Sequence, residues 1–97
     1  MMILVTYDVS VTSPLGQSRL RKVAKYCQNH GIRVQNSVFE CVVEPSVYEK
    51  MKNDLTRIID KKTDSLRFYM MGKNWEKHIV HIGAKSSINI QSDSIIL

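Results

Sequence analysis

An α+β fold is predicted for this chain from three observations. Apolar, β-branched runs alternate with segments whose apolar residues recur at helical spacing. The order of these segments is strand, helix, strand or hairpin, helix, strand, with further extended stretches behind. The chain has 97 residues, 43% of them hydrophobic, with four Gly and two Pro, enough for one core and too little for two. Two helices packed on one face of a single sheet then give the ferredoxin-like βαββαβ sandwich. One domain is expected over residues 1–97, with residues 85–97 as a C-terminal tail.

The elements follow from the residues in turn. Met2 to Val9 (MILVTYDV) is a β-branched run closed by the turn-rich stretch Ser10 to Gly16, and is predicted as a strand. From Gln17, the residues Leu20, Val23, Ala24 and Cys27 form an i, i+3, i+4, i+7 stripe, with Gly31 as its stop and Arg19, Arg21, Lys22 and Lys25 left to water. Ile32 to Glu44 reads as strand, but Ile32 and Val34 take one parity while Phe39, Cys41 and Val43 take the other. A tight hairpin or a bulge near Asn36-Ser37 accounts for that change.

Ser46 with Glu49, behind Pro45, has the S-x-x-E spacing of a capping box, and Tyr48, Met51, Leu55, Ile58 and Ile59 supply the buried stripe of a second helix ending near Lys61. Leu66 to Met71 is a further strand, Gly72 to Lys77 a loop, and Ile79 to Ile82 a short strand. In the first strand Ile3, Val5, Tyr7 and Val9 face one way and Leu4 and Thr6 the other, so both faces are largely apolar; Phe68 and Met70 against Tyr69 and Met71 repeat this. Two helices cover one face only. A second copy of the chain is expected on the other, making a homodimer through the sheets.

Charge and composition narrow the function. Fourteen Lys and Arg against nine Asp and Glu leave +5, which permits a polyanionic partner without demanding one, with nucleic acid first among the candidates. The apolar runs are too short to span a bilayer, and the N-terminus has no secretory signal pattern, so a cytoplasmic protein without a membrane partner is expected. Cys27 and Cys41 then read as reduced, buried small hydrophobes.

Asp8 ends an apolar strand, where a carboxylate either caps a turn leading into Ser10 or serves as a ligand on a rigid element. A lone carboxylate binds magnesium poorly, but a two-fold axis near Asp8 would pair it with its symmetry mate. Arg19, Arg21 and Arg33 are individually ordinary solvated charges; together they could offer bidentate donors to phosphates. Tyr7, Phe39 and Trp75 could stack on bases, although aromatics in so small a chain serve mostly as core. His78 and His81 lie three apart, which on a strand puts them on opposite sides and argues against a shared zinc. No phosphate-binding glycine loop, H-E-x-x-H or evident triad is present in the sequence.

Three blocks carry a family resemblance: Val5-Thr6-Tyr7-Asp8-Val9, Arg19-Leu20-Arg21-Lys22-Val23-Ala24-Lys25, and the long run from Gly31 to Cys41 (GIRVQNSVFEC). In that order they resemble the small CRISPR-associated endonuclease family, the second of the two core CRISPR adaptation proteins, over residues 1 to about 85. Residues His81 to Lys85 resemble its type I-C branch. The resemblance implies a ferredoxin-like homodimer with an extra C-terminal strand added to the partner's sheet. It implies a metal-dependent endonuclease on single-stranded RNA or double-stranded DNA, using Mg2+ or another divalent cation such as Mn2+. It also implies a complex with the CRISPR integrase during capture of new spacers. By the same resemblance Asp8 binds the metal, while Tyr7, Arg19, Arg21, Arg33 and Phe39 take positions that influence cleavage. The stretch between Asp8 and Arg19 is longer than in some members.

Overall fold

The structure, a computed structural model, describes residues 1–83. Among these the elements run β1 (Met2–Asp8), α1 (Pro14–Gln28), β2 (Ile32–Gln35), β3 (Val38–Val42), α2 (Pro45–Ile58) and β4 (Ser65–Met70), followed by a 3-10 turn at Trp75–His78. The sheet order is β2-β3-β1-β4 with every neighbouring pair antiparallel, the arrangement expected of a ferredoxin-like sandwich. β1 is therefore central, with Val5 opposite Phe39 on one side and Phe68 on the other.

The period-two pattern of β1 sends Ile3, Val5 and Tyr7 toward the helices, where they meet Phe39 and Cys41 of β3 and Val23, Cys27, Met51 and Leu55 of the two helical stripes. Each fully buried apolar side chain of this kind contributes about 1.5–3 kcal/mol. The helices are tied to each other by polar groups as well. Tyr26 of α1 donates its hydroxyl to Asp54 of α2 at 2.6 Å, and Asp54 also pairs with Lys50 and Arg57. The Lys50 and Tyr26 hydrogen bonds together hold the Asp54 carboxyl at about 2.

Several boundaries differ from expectation, each for a local reason. α1 starts three residues before Gln17, because Ser13 accepts the Gly16 N–H at 3.1 Å as an N-cap and Pro14 stands in the first turn, where its missing N–H costs nothing. Gly31 does not end the helix in a left-handed conformation. Its smallness serves a close approach instead: a Cβ there would run into the Glu40 carbonyl of β3. The capping box of Ser46 and Glu49 does not form. Glu44 takes the N-cap without a side-chain bond and Pro45 starts α2, which puts Ser46 inside the first turn. α2 ends at Ile58 rather than near Lys61, since Ile59 is already extended.

The hairpin at Asn36-Ser37 is present, with a register shift between Arg33 and Gln35 that explains the change of parity. The short strand expected at Ile79 to Ile82 does not form within the described residues. Left-handed Gly72 and Asn74 and the 3-10 turn interrupt the extended path after β4, leaving Val80 83% and Ile82 90% exposed. The expected C-terminal strand and the tail at 85–97 lie outside the described residues.

The face of the sheet away from the helices is mixed rather than apolar. Leu4 and Thr6 lie there half-buried, with Glu40, Val42, Arg67 and Tyr69 on their flanks. Val42 and Tyr69 are close to half exposed. Among the described residues no helix is long and apolar enough to cross a membrane.

Candidate active site

Asp8 is the last residue of β1, and alternation turns it away from the core that holds Tyr7. Its neighbour across the sheet is Ser65, and two pairs further along, on the same face, Thr6 lies opposite Arg67. These residues and Tyr7 line an open groove of about 280 Å³. Asp8 is exposed, and among the described residues its carboxylate has neither a hydrogen bond nor an ion pair. Of the two readings open in the sequence, the turn cap is not the one built: the Ser10 N–H donates to Asp64 Oδ1 at 3.0 Å.

Asp64 is the turn-organising carboxylate. Its side chain is fully removed from solvent and also accepts from the Asp60 N–H (2.9 Å), the Thr63 hydroxyl (3.0 Å) and Arg19 Nε (2.8 Å). Burial alone would raise such a carboxyl; the Arg19 guanidinium and the two backbone N–H groups outweigh it and hold Asp64 well below the usual carboxylate range.

The other candidate residues fall into separate places. Arg19 is committed to Asp64, with Nη2 a further 3.4 Å from both Asp64 Oδ1 and the Thr63 hydroxyl. Arg21 is exposed on a different side of α1, where it lines a shallow depression with Ser18, Lys22, Lys25, Tyr26 and Asn29. Arg33 reaches from the edge strand β2 over the Phe39 ring, 5.1 Å from its centroid. Phe39 is fully buried and stacks with Tyr7 at 6.2 Å and 21°. The Tyr7 hydroxyl donates to the Asn36 carbonyl at 3.3 Å, and burial raises its pKa, partly offset by the Arg33 guanidinium.

Tyr7, Phe39 and Arg33 thus form one layered stack running from the core to the sheet edge. Tyr7 and Phe39 are core aromatics, which leaves neither ring open to stack on a base. Cys27 and Cys41 are buried free thiols, pushed up by burial to about 12 and about 11.

Sequence reasoning missed two residues. Asp64 closes an Asp-x-x-x-Asp turn ahead of β4, and that spacing of carboxylates before a strand was its only signal. Arg67 shares the parity of Tyr69 within β4, which identifies it as outward-facing beside Asp8 once the register is known. Its Nη1 donates to the Tyr69 hydroxyl at 3.1 Å.

Magnesium binds through one or two carboxylates while keeping water and phosphate oxygens as its other ligands. An exposed carboxylate without a partner among the described residues, in a groove with the hydroxyl residues Thr6 and Ser65, fits that requirement. Among the described residues no cluster of three or more His, Cys, Asp or Glu could hold a metal, and Asp8 is the one carboxylate among the groove's described lining residues.

Comparison with known proteins gives a consistent result. The family described as CRISPR associated protein Cas2 matches residues 1–79, stopping short of the His81 to Lys85 stretch that suggested a branch. The chain is 52% identical over 95 residues to the CRISPR-associated endonuclease Cas2 of Halalkalibacterium halodurans, covering 98% of this chain and 99% of that one. It is 48% identical over 96 residues to the CRISPR-associated endoribonuclease Cas2 of Chlorobaculum tepidum, covering 99% and 100%. The solved structure of Streptococcus pyogenes Cas2 at pH 6.5 superposes with a TM-score of 0.74 at 57% identity, over 86% of this chain and 100% of that one.

Proposed function

The chain belongs to the Cas2 family of CRISPR-associated proteins, and from that premise we propose that it is a magnesium-dependent endonuclease with Asp8 as its catalytic, metal-holding carboxylate. The substrates are single-stranded RNA, double-stranded DNA or both, as the names endonuclease and endoribonuclease given to its relatives suggest. One observation carries this reading: at the end of the central strand stands an exposed carboxylate that no group among the described residues neutralises.

Asp8 would hold the cation, and its symmetry mate in a homodimer would supply a second carboxylate beside the one that lines the groove among the described residues. A magnesium ion held by Asp8 would supply positive charge against the phosphodiester and would lower the pKa of water. The chain's own residues position the substrate. Arg67, in the same groove, offers guanidinium donors to a phosphate oxygen beside Asp8. Tyr7, Phe39 and Arg33 hold the strand from which Asp8 projects, and Arg21 adds positive charge along α1.

The protein works in the cytoplasm, in acquisition and integration of new spacer DNA together with the CRISPR integrase, and we place it with the type I-C branch. That Asp8 is the one carboxylate among the groove's described lining residues favours a second reading as well, a non-catalytic scaffold that binds protospacer DNA and bridges integrase dimers. Purified Asp8→Ala protein, assayed on RNA and duplex DNA with magnesium and with chelator, separates these. Loss of cleavage in the variant and in chelator supports the nuclease. Cleavage that survives the substitution refutes the role of Asp8, and lost cleavage with intact spacer acquisition makes the scaffold the biological role.

A further inference from the structure

Ser10 lies two residues beyond Asp8, and its peptide group is gripped from two sides. Its N–H donates to buried Asp64, whose neighbour Ser65 is the register partner of Asp8. Its carbonyl lies so close to Gly16 that a Cβ at that position would collide with it. Asp64 gathers its donors from the loop after β1, from its own turn at Asp60 and Thr63, and from α1, so a single carboxylate joins three segments next to Ser65 in the lining of the Asp8 groove.

Arg19 is the one charged donor in that set, and two of its nitrogens point at Asp64. Its charge is compensated there at 2.8 Å, and a guanidinium so engaged has little attraction left for a phosphate. We infer that Asp64 is a positioning residue for the Asp8 carboxylate, and that Arg19 acts on cleavage through Asp64 rather than by touching nucleic acid. The part concerning cleavage rests on the reading of Asp8 given above; the part concerning Arg19 and binding does not.

The test uses the full chain with Arg19→Lys, Arg19→Gln, Asp64→Asn and the double variant Arg19→Gln/Asp64→Asn. All assays are run at denaturant-free conditions where urea titration shows each variant to be folded. Expected for both single Gln and Asn variants is a fall in kcat of about tenfold or more with KM unchanged, and a double variant no worse than the poorer single one, as for groups acting in series. Arg19→Lys is expected to lose kcat as well, since an ammonium keeps the charge but not the fork that holds Asp64.

Salt dependence of binding to a short labelled duplex is expected to keep the wild-type slope in every variant. A slope smaller by about 1 in Arg19→Gln, restored in Arg19→Lys, would place Arg19 on a phosphate and overturn the proposal. Multiplying effects in the double variant, or full activity in folded Asp64→Asn, would overturn it too. If the wild-type protein does not cleave, the reading of Asp8 fails and the positioning claim is decided by NMR. The 13C resonance of the Asp8 carboxyl is expected to move in Arg19→Lys while resonances at β2 stay; an unmoved Asp8 signal refutes positioning.

Discussion

Replacing Phe39 by alanine separates a structural from a substrate-binding role at a position the family resemblance associates with cleavage. The ring is fully buried, stacks on Tyr7, and carries the Arg33 guanidinium on its outer face. Truncating a buried Phe costs about 3–5 kcal/mol. The Tyr7 stacking and Arg33 contacts, each worth about 0.5–1.5 kcal/mol, put Phe39 in the upper part of that range. Small domains have only about 5–15 kcal/mol of stability in total, so the loss is a large share of it.

With a urea m-value of about 1.5 kcal/mol/M, the unfolding midpoint is expected to fall by about 3 M. The assay is urea denaturation followed by circular dichroism, at one fixed protomer concentration because a dimer's stability depends on it. Any activity lost in Phe39→Ala should then follow the folded fraction, and Phe39→Leu should recover most of both. A Phe39→Ala protein with an unchanged midpoint but no cleavage would refute the assignment of Phe39 to the core and make it a substrate contact.

Three further outcomes follow from the same geometry. The Asp54 and Asp64 carboxyls lie below the ordinary carboxylate value of 3.8, so the stability each contributes is fully present above that pH and lost as pH falls through the folded values. The urea midpoint should therefore be flat near neutrality and drop below about pH 4, less so in Asp54→Asn; a midpoint that rises on acidification contradicts this. Cys27 and Cys41 should resist thiol-specific labelling in the folded protein and react fully in denaturant, since both are buried with raised pKa values. Gly16→Ala should destabilise by about 1–3 kcal/mol by driving a methyl into the Ser10 carbonyl, against the slight gain Ala gives in an open helix; calorimetry measures the sign.

Much of this architecture is legible in the residues. Strand β1, the stripe Val23 and Cys27, the stripe Met51 and Leu55, and the turn at Asn36-Ser37 all follow from periodicity, because burial on one face imposes it. Helix starts are not legible from spacing where proline decides them: Pro14 and Pro45 each open a helix, and rules that look for a hydrophobic stripe or S-x-x-E pass over them. The outward position of Asp8 follows from strand parity. That Ser10 is capped by a residue 54 positions away does not, because long-range hydrogen bonds of a buried carboxylate leave no local pattern. The placement of Arg19 against Asp64 depends on how α1 packs, and that of Arg67 beside Asp8 on the register of β4 against β1, neither of which has a local pattern.

The central claim is that Asp8, and not another group, holds the divalent cation. Titrating the protein with Mn2+ and following the free ion by electron paramagnetic resonance tests it without any nuclease assay. The expected result is one bound ion per two chains, displaced by excess Mg2+ and lost in Asp8→Asn protein whose urea midpoint is unchanged. Undiminished Mn2+ binding in Asp8→Asn, or no saturable binding in the unsubstituted protein, would contradict it.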